Sequence, residues 1–274
     1  MKFRSLVTLP LLFAGTFSLL ALVLGDGARG SVLTVENEIG KAIAAVGCLA
    51  AALAFERGDY LRRAWTYSGA CYALLLLADG AGLPALSARL GEHPLDVTQG
   101  TLVVLANAMS VLGTWMLARA WRVAGLDDED AGSRTRRRLL FAAAGLLALA
   151  ITGWPLVHDV RALLQGDIGA LVSVASDLGD TLCLALVAPV LQTALAMRGG
   201  VLWWPWGLLT SSGLAWVVYD ACSGLVGALH VEGAVYLVAT EALRALACGS
   251  FLSAGLAQRR IVLGDAAASL RGAS

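Results

Sequence analysis

Residues 177–220 read DLGDTLCLALVAPVLQTALAMRGGVLWWPWGLLTSSGLAWVVYD. Two apolar runs of membrane-crossing length, 178–197 and 202–219, meet at Arg198-Gly199-Gly200. Asp177 and Asp180 open the first run, Asp220 closes the second, and Trp203, Trp204 and Trp206 follow the turn. If both runs cross a bilayer as helices, the acids gather at one face and the Arg and Trp at the other. That split suits a cytoplasmic turn bordered by interfacial aromatics.

The remainder of the chain has the same character. It has 274 residues, 58% hydrophobic and 15% charged, with no net charge and a mean hydropathy of +0.74. This is more apolar surface than a soluble domain of that size can bury, so the composition predicts an all-α, polytopic integral membrane protein. Charge balance gives no reason to expect nucleic acid or an acidic partner; membrane lipid is the expected surrounding. The five cysteines sit inside apolar runs without a CxxC pair, which argues for small buried hydrophobes rather than a disulfide framework or a zinc site. His93, His158 and His230 fall near expected loops, against a carrier of several haems or chlorophylls. No cofactor is named by any motif.

A membrane-crossing helix needs about 20 mostly apolar residues. Eight segments qualify, near 5–24, 38–55, 64–79, 98–118, 139–157, 171–197, 202–222 and 233–257. With this threading, fifteen Lys and Arg fall on one side and three (Arg29, Arg89, Arg161) on the other, leaving Lys41 and Arg244 within spans to complete the twenty. The bias places both termini and the central loop in the cytoplasm, as expected for a bacterial inner-membrane protein. The first run is longer than a signal-peptide core and lacks a small-x-small cleavage site, so it is expected to remain as a span. Were it cleaved, seven helices and an outside N-terminus would remain.

An offset of 141 residues lays the hairpin on an earlier one: Glu36 on Asp177, Arg57 on Arg198, Gly58 on Gly199, Trp65 on Trp206 and Asp79 on Asp220. The match predicts two parallel four-helix units, 1–122 and 139–260, joined by a charged cytoplasmic linker at 123–138 and followed by a tail at 261–274. Small residues such as Gly69-Ala70, Gly213 and 245–249 are expected where helices approach closely.

Charges within a bilayer cost about 2.5 to 3.5 kcal/mol each at a helix centre and rarely persist uncompensated. Glu241 and Arg244, three apart in the last span, are spaced to share a face. Lys41 lies a turn beyond Glu38 and is spaced to pair with it. Asp177 and Asp180 share a face of the sixth span, while Asp79 and Asp220 end the third and seventh on the same outer side. Arg244, Glu241, Asp177, Asp180, Asp220, Asp79 and Lys41 are therefore the candidate ion- or substrate-binding residues, in an outward-facing, carboxylate-rich site for a proton, cation or small cationic solute. Asn107, Ser110 and Thr114 form a polar stripe suited to the same cavity, and Thr210 to Ser212 and Tyr219 are further polar positions. The competing expectation is a sensor or assembly subunit that transports nothing, whose pairs are structural and whose basic segment, Arg134 to Arg138, meets lipid or a partner.

Asp177-Leu178-Gly179-Asp180 and Tyr219-Asp220 resemble fragments of the intramembrane aspartyl protease motifs, in which Tyr-Asp on one helix faces Gly-x-Gly-Asp on the next. Here the order is reversed, position 177 is Asp rather than Gly, and Pro84-Ala85-Leu86 lies in an early loop rather than on a later helix. Catalysis on that pattern requires Asp180 and Asp220 to meet and share a proton. A retinal-binding rhodopsin is excluded by Arg244 where the last helix would need a Lys. Thr210-Ser211-Ser212-Gly213 departs from the serine motif of rhomboids, and no P-loop, dinucleotide fingerprint or HExxH is present.

Overall fold

The computed structural model describes residues 3–81, 92–123, 131–167, 169–196, 200–229 and 233–272. Among them are eight helices and no strand: α1 Phe3–Val23, α2 Asp26–Ala52, α3 Tyr60–Ala81, α4 Glu92–Val123, α5 Ala131–Leu164, α6 Ala170–Ala196, α7 Trp203–Leu229 and α8 Ala234–Gly272. Ser5–Val23, Val97–Ala120, Ala170–Gln192 and Ala234–Gly264 are each long and apolar enough to cross a membrane, so this is a membrane protein. Five charged residues within α2 keep it below the same measure.

The helices follow the segments expected from hydropathy and several run well past them, because a helix persists beyond the hydrocarbon where its side chains turn polar; α2 instead stops at Ala52, short of the expected 55. α2 starts at Asp26 rather than near 38, which brings Glu36 onto the helix. α5 starts at Ala131, so Arg134, Arg136 and Arg138 ride on its first turns instead of lying in a loop. α8 continues to Gly272, and α7 extends nine residues beyond Asp220, which places that acid inside a helix rather than at its end. The hinge residues Arg198-Gly199, the acidic run 127–130 and Pro84-Ala85-Leu86 lie outside the described residues.

Six helices close into a ring in the order α2, α3, α4, α6, α7, α8 and back to α2. α1 packs outside the ring on α8 and α2, and α5 packs outside on α6 and α7. The surface is inverted relative to a soluble protein. Leu12, Leu146, Trp154 and Leu164 are exposed on the outer helices, while Glu36, Lys41, Asp177, Thr114 and Ser212 are buried. Lipid accepts the first group, and the ring interior must satisfy the second.

Ring closure depends on backbone contact between α2 and α8. A Cβ at Gly47 would lie 2.5 Å from Leu252 Cα, and one at Gly255 would collide with the Gly47 carbonyl. At the turn into α3, Gly58 holds φ +94°, a conformation that L side chains resist, while Asp59 caps the helix through Oδ1, which accepts from Leu61 N at 2.7 Å. One end of the ring is filled by an apolar core containing Trp65, Tyr72, Met116, Val187, Leu209 and Cys248. Trp206 belongs to this core at 6% exposure and is not a lipid-facing anchor, whereas Trp154 and Trp115 are exposed and suit that role. The side chain of Trp121 is outside the described residues.

Candidate functional site

Three of the expected charged residues, one on each of three helices, stand at a matched depth. Asp180 lies ten residues after the start of α6, Arg244 ten after the start of α8, and Asp220 nine before the end of α7. With α7 antiparallel to its neighbours, all three stand roughly 14 Å along the axis from the same end of the bundle. Equal spacing from one end brings them to a common level.

Above the apolar core the ring encloses a cavity of about 210 Å³, lined from all six of its helices. Lys41, Asp180, Asp220 and Arg244 form part of its wall, together with Asn107, Ser110 and Thr114 of the polar stripe and Ser212 and Tyr219 of α7. The remaining three candidates stand behind this wall. Asp79 backs Lys41, Glu241 backs Arg244, and Asp177, 7% exposed, lies in the electrostatic range of Asp220. A polar space of this size holds several waters.

Three charge arrangements are distinct. Lys41 Nζ meets Asp79 Oδ2 at 2.5 Å, and Asn37 Nδ2 donates to the same oxygen at 3.0 Å. The lysine therefore pairs across to α3, not with Glu38 on its own helix, because Asp79 is the carboxylate its buried side chain reaches. Arg244 forms an ion pair with Glu241, donates through Nη1 to the Tyr219 hydroxyl at 3.0 Å, and holds its Cζ 5.3 Å from that ring's centroid. This guanidinium has acidic company from its own helix and an aromatic face from the next.

The third arrangement has no base. Asp180 and Asp220 line the same cavity from neighbouring helices and lie within interaction range of each other. Ionised carboxylates only accept, so two that meet can hydrogen-bond only when one of them holds a proton, and the pair then carries a single negative charge. Asp220 Oδ2 is buried and without a hydrogen-bond partner among the described residues. The aspartyl protease resemblance requires these two acids on one site, and they share this cavity; the reversed order and Asp177 remain departures from that motif.

Glu36 was not among the sequence-derived candidates. It is 1% exposed on α2, within electrostatic reach of Arg244 and Glu241, and both of its carboxyl oxygens lack a hydrogen-bond partner among the described residues. Two signals pointed to it: its alignment with Asp177, and the helical spacing of Leu33, Glu36, Gly40, Ala44 and Gly47 along one buried face.

Other polar contacts tie the wall together. Asn107 Nδ2 donates to Ser176 Oγ at 3.2 Å, Ser110 Oγ lies 3.5 Å from Cys183 Sγ, and Ser212 Oγ donates to Ala247 O at 2.8 Å. Cys71 and Cys183 border the cavity as free thiols. Among the described residues no three His, Cys, Asp or Glu are grouped to hold a metal ion. Comparison with protein-family models, curated proteins and solved structures finds no match.

Proposed function

We propose that this chain is a multi-pass protein of a bacterial inner membrane that transports or conducts a proton, a cation or a small cationic solute through its six-helix ring. In this reading all eight helices cross the bilayer, both termini are cytoplasmic, and the cavity communicates with the outer face. The observation that carries it is the presence of Asp180 and Asp220 together on the wall of one cavity inside the ring, with Lys41 and Arg244 on the same wall and their charges already met by Asp79 and Glu241. Intramembrane ionisable groups around a wet space mark ion and proton pathways. Orientation rests on the fifteen-to-three distribution of Lys and Arg.

Duplication of a four-helix unit is part of the proposal. Ring contacts α2–α3, α3–α4 and α8–α2 correspond to α6–α7, α7–α8 and α4–α6. The outer helices depart from it, since α1 rests on α2 and α8 but α5 on α6 and α7. At the aligned positions Asp79 faces a lysine while Asp220 faces a second carboxyl, so one half is neutralised and the other is left to bind a positive charge.

The test is flux in proteoliposomes loaded with a pH-sensitive dye or a cation indicator, under an imposed membrane potential. Asp180→Asn and Asp220→Asn are expected to abolish flux while yielding monodisperse protein. The competing role, a sensor or assembly subunit that transports nothing, is favoured by the two closed ion pairs. It would be supported if wild-type protein carries no flux and both variants fail to fold.

A further inference from the structure

We propose that the cavity is a binding site for a small organic ammonium ion, one positive charge clothed in methyl or methylene groups, rather than for a bare inorganic cation. The inference rests on the cation-handling reading above and specifies its ligand. It comes from the aromatic part of the cavity wall. Phe251 and Tyr72 pack edge to face with centroids 5.0 Å apart, Trp216 and Tyr219 do the same at 5.6 Å, and Trp216 Nε1 donates to the Tyr72 hydroxyl at 3.2 Å. These contacts join four aromatic residues from α3, α7 and α8 into one continuous surface, and all four border the same cavity as Asp180 and Asp220.

An inorganic cation with several oxygen ligands is poorly served by such a wall, because rings offer no lone pairs to replace its hydration shell. An organic ammonium needs less: diffuse charge, apolar contact and a counter-charge. Ring faces attract such cations, and quaternary ammonium groups are commonly held by several aromatics at once. The protein already uses this attraction where the Arg244 guanidinium rests over Tyr219.

Charge and size agree with the assignment. Lys41 and Arg244 have their own carboxylates, so among the groups that line the cavity the charge left to answer is that of Asp180 and Asp220, a single negative charge when the two share a proton. Asp220 lines this space, and its buried Oδ2 has no hydrogen-bond partner among the described residues, so a positive charge in the cavity has a carboxyl to answer. The 210 Å³ of space lies below the ~300 Å³ at which pockets begin to take drug-sized molecules, which limits the ligand to a compact amine.

The experiment is equilibrium binding of radiolabelled tetramethylammonium to the purified full chain in detergent, with sodium and potassium as competitors. Saturable binding is expected, displaced by methylated amines and not by a hundredfold excess of either alkali ion. Asp220→Asn should abolish it. Tyr72→Leu should weaken it about tenfold, the size of one desolvated cation–π contact, while Tyr72→Phe, which keeps the ring, should stay within about threefold. Phe251→Leu replaces Tyr72→Leu if the latter is not monodisperse. No saturable binding, displacement by sodium as effective as by amines, or equal affinity in the leucine and wild-type proteins would overturn the assignment. Failure here with Asp180-dependent flux intact would remove the ligand and leave the transport reading standing, whereas tetramethylammonium binding with no flux of any ion would do the reverse.

Discussion

Lys41 is held in the ring by a carboxylate on another helix, and that dependence can be measured. Its side chain is 9% exposed and that of Asp79 30%, so Asp79→Asn strands a buried ammonium while relieving an acid that water still reaches. Breaking a buried pair costs about 3 to 5 kcal/mol, and partial exposure of Asp79 puts this case at or below the lower figure. We expect Asp79→Asn to lower the unfolding midpoint in detergent, and Lys41→Met combined with Asp79→Asn to recover much of the loss. Recovery absent from the double variant would show that the pair does not act as a unit. Glu36 and Glu241 make a second contrast. Glu241→Gln deprives Arg244 of its ion-pair partner, whereas Glu36→Gln alters a carboxyl that has no hydrogen bond among the described residues, so the first is expected to destabilise by more than the second in the same assay. These partners were only half legible in the sequence. Spacing of three or four identifies neighbours on one helix, which sufficed for Glu241 and Arg244 but suggested Glu38 for Lys41. Asp79, 38 residues away, is reachable only once α2 and α3 are rotated against each other.

At the scale of the helix, the outline of each segment follows from hydropathy and its ends do not. A hydrocarbon-length window finds the apolar part, yet α2, α5 and α8 all continue into charged sequence because their backbone hydrogen bonds do not end where the lipid does. This is why Glu36 escaped notice: the apolar window opened after it. Helix contacts are the other element-level feature. A side chain at Gly255 meets the backbone of α2, while one at Gly15 on α1 meets nothing within 4 Å. Gly255→Ala is expected to destabilise by about 1 to 3 kcal/mol, the usual cost of overpacking, and Gly15→Ala to be neutral, as read from thermal unfolding followed by aggregation or by tryptophan fluorescence. Equal behaviour of the two variants would mean that α2 and α8 can separate without loss.

For the whole molecule, the quantity to test is its threading. Both termini in the cytoplasm predicts that a fluorescent protein fused after Ser274 matures, and that a thiol-reactive, membrane-impermeant probe added outside intact cells labels a cysteine placed at Gly27 near the α1–α2 corner but not one at Asp59. Reversed labelling would overturn the orientation and the outward direction of the cavity with it. That this is a helical membrane protein, where the apolar part of each helix lies, and that Asp177, Asp180 and Asp220 fall toward the same end of one hairpin all followed from residue order, because crossing a bilayer demands long apolar stretches and makes each interior charge conspicuous. Closure of six helices into a ring, the placing of Asp180 and Asp220 on one cavity, the choice of Asp79 by Lys41 and the aromatic wall of that cavity were decided by tertiary structure alone. Hydropathy averages over a helix and is blind to its rotation about its own axis; that rotation, set by contacts such as Gly47 against Gly255, determines which side chains look inward together.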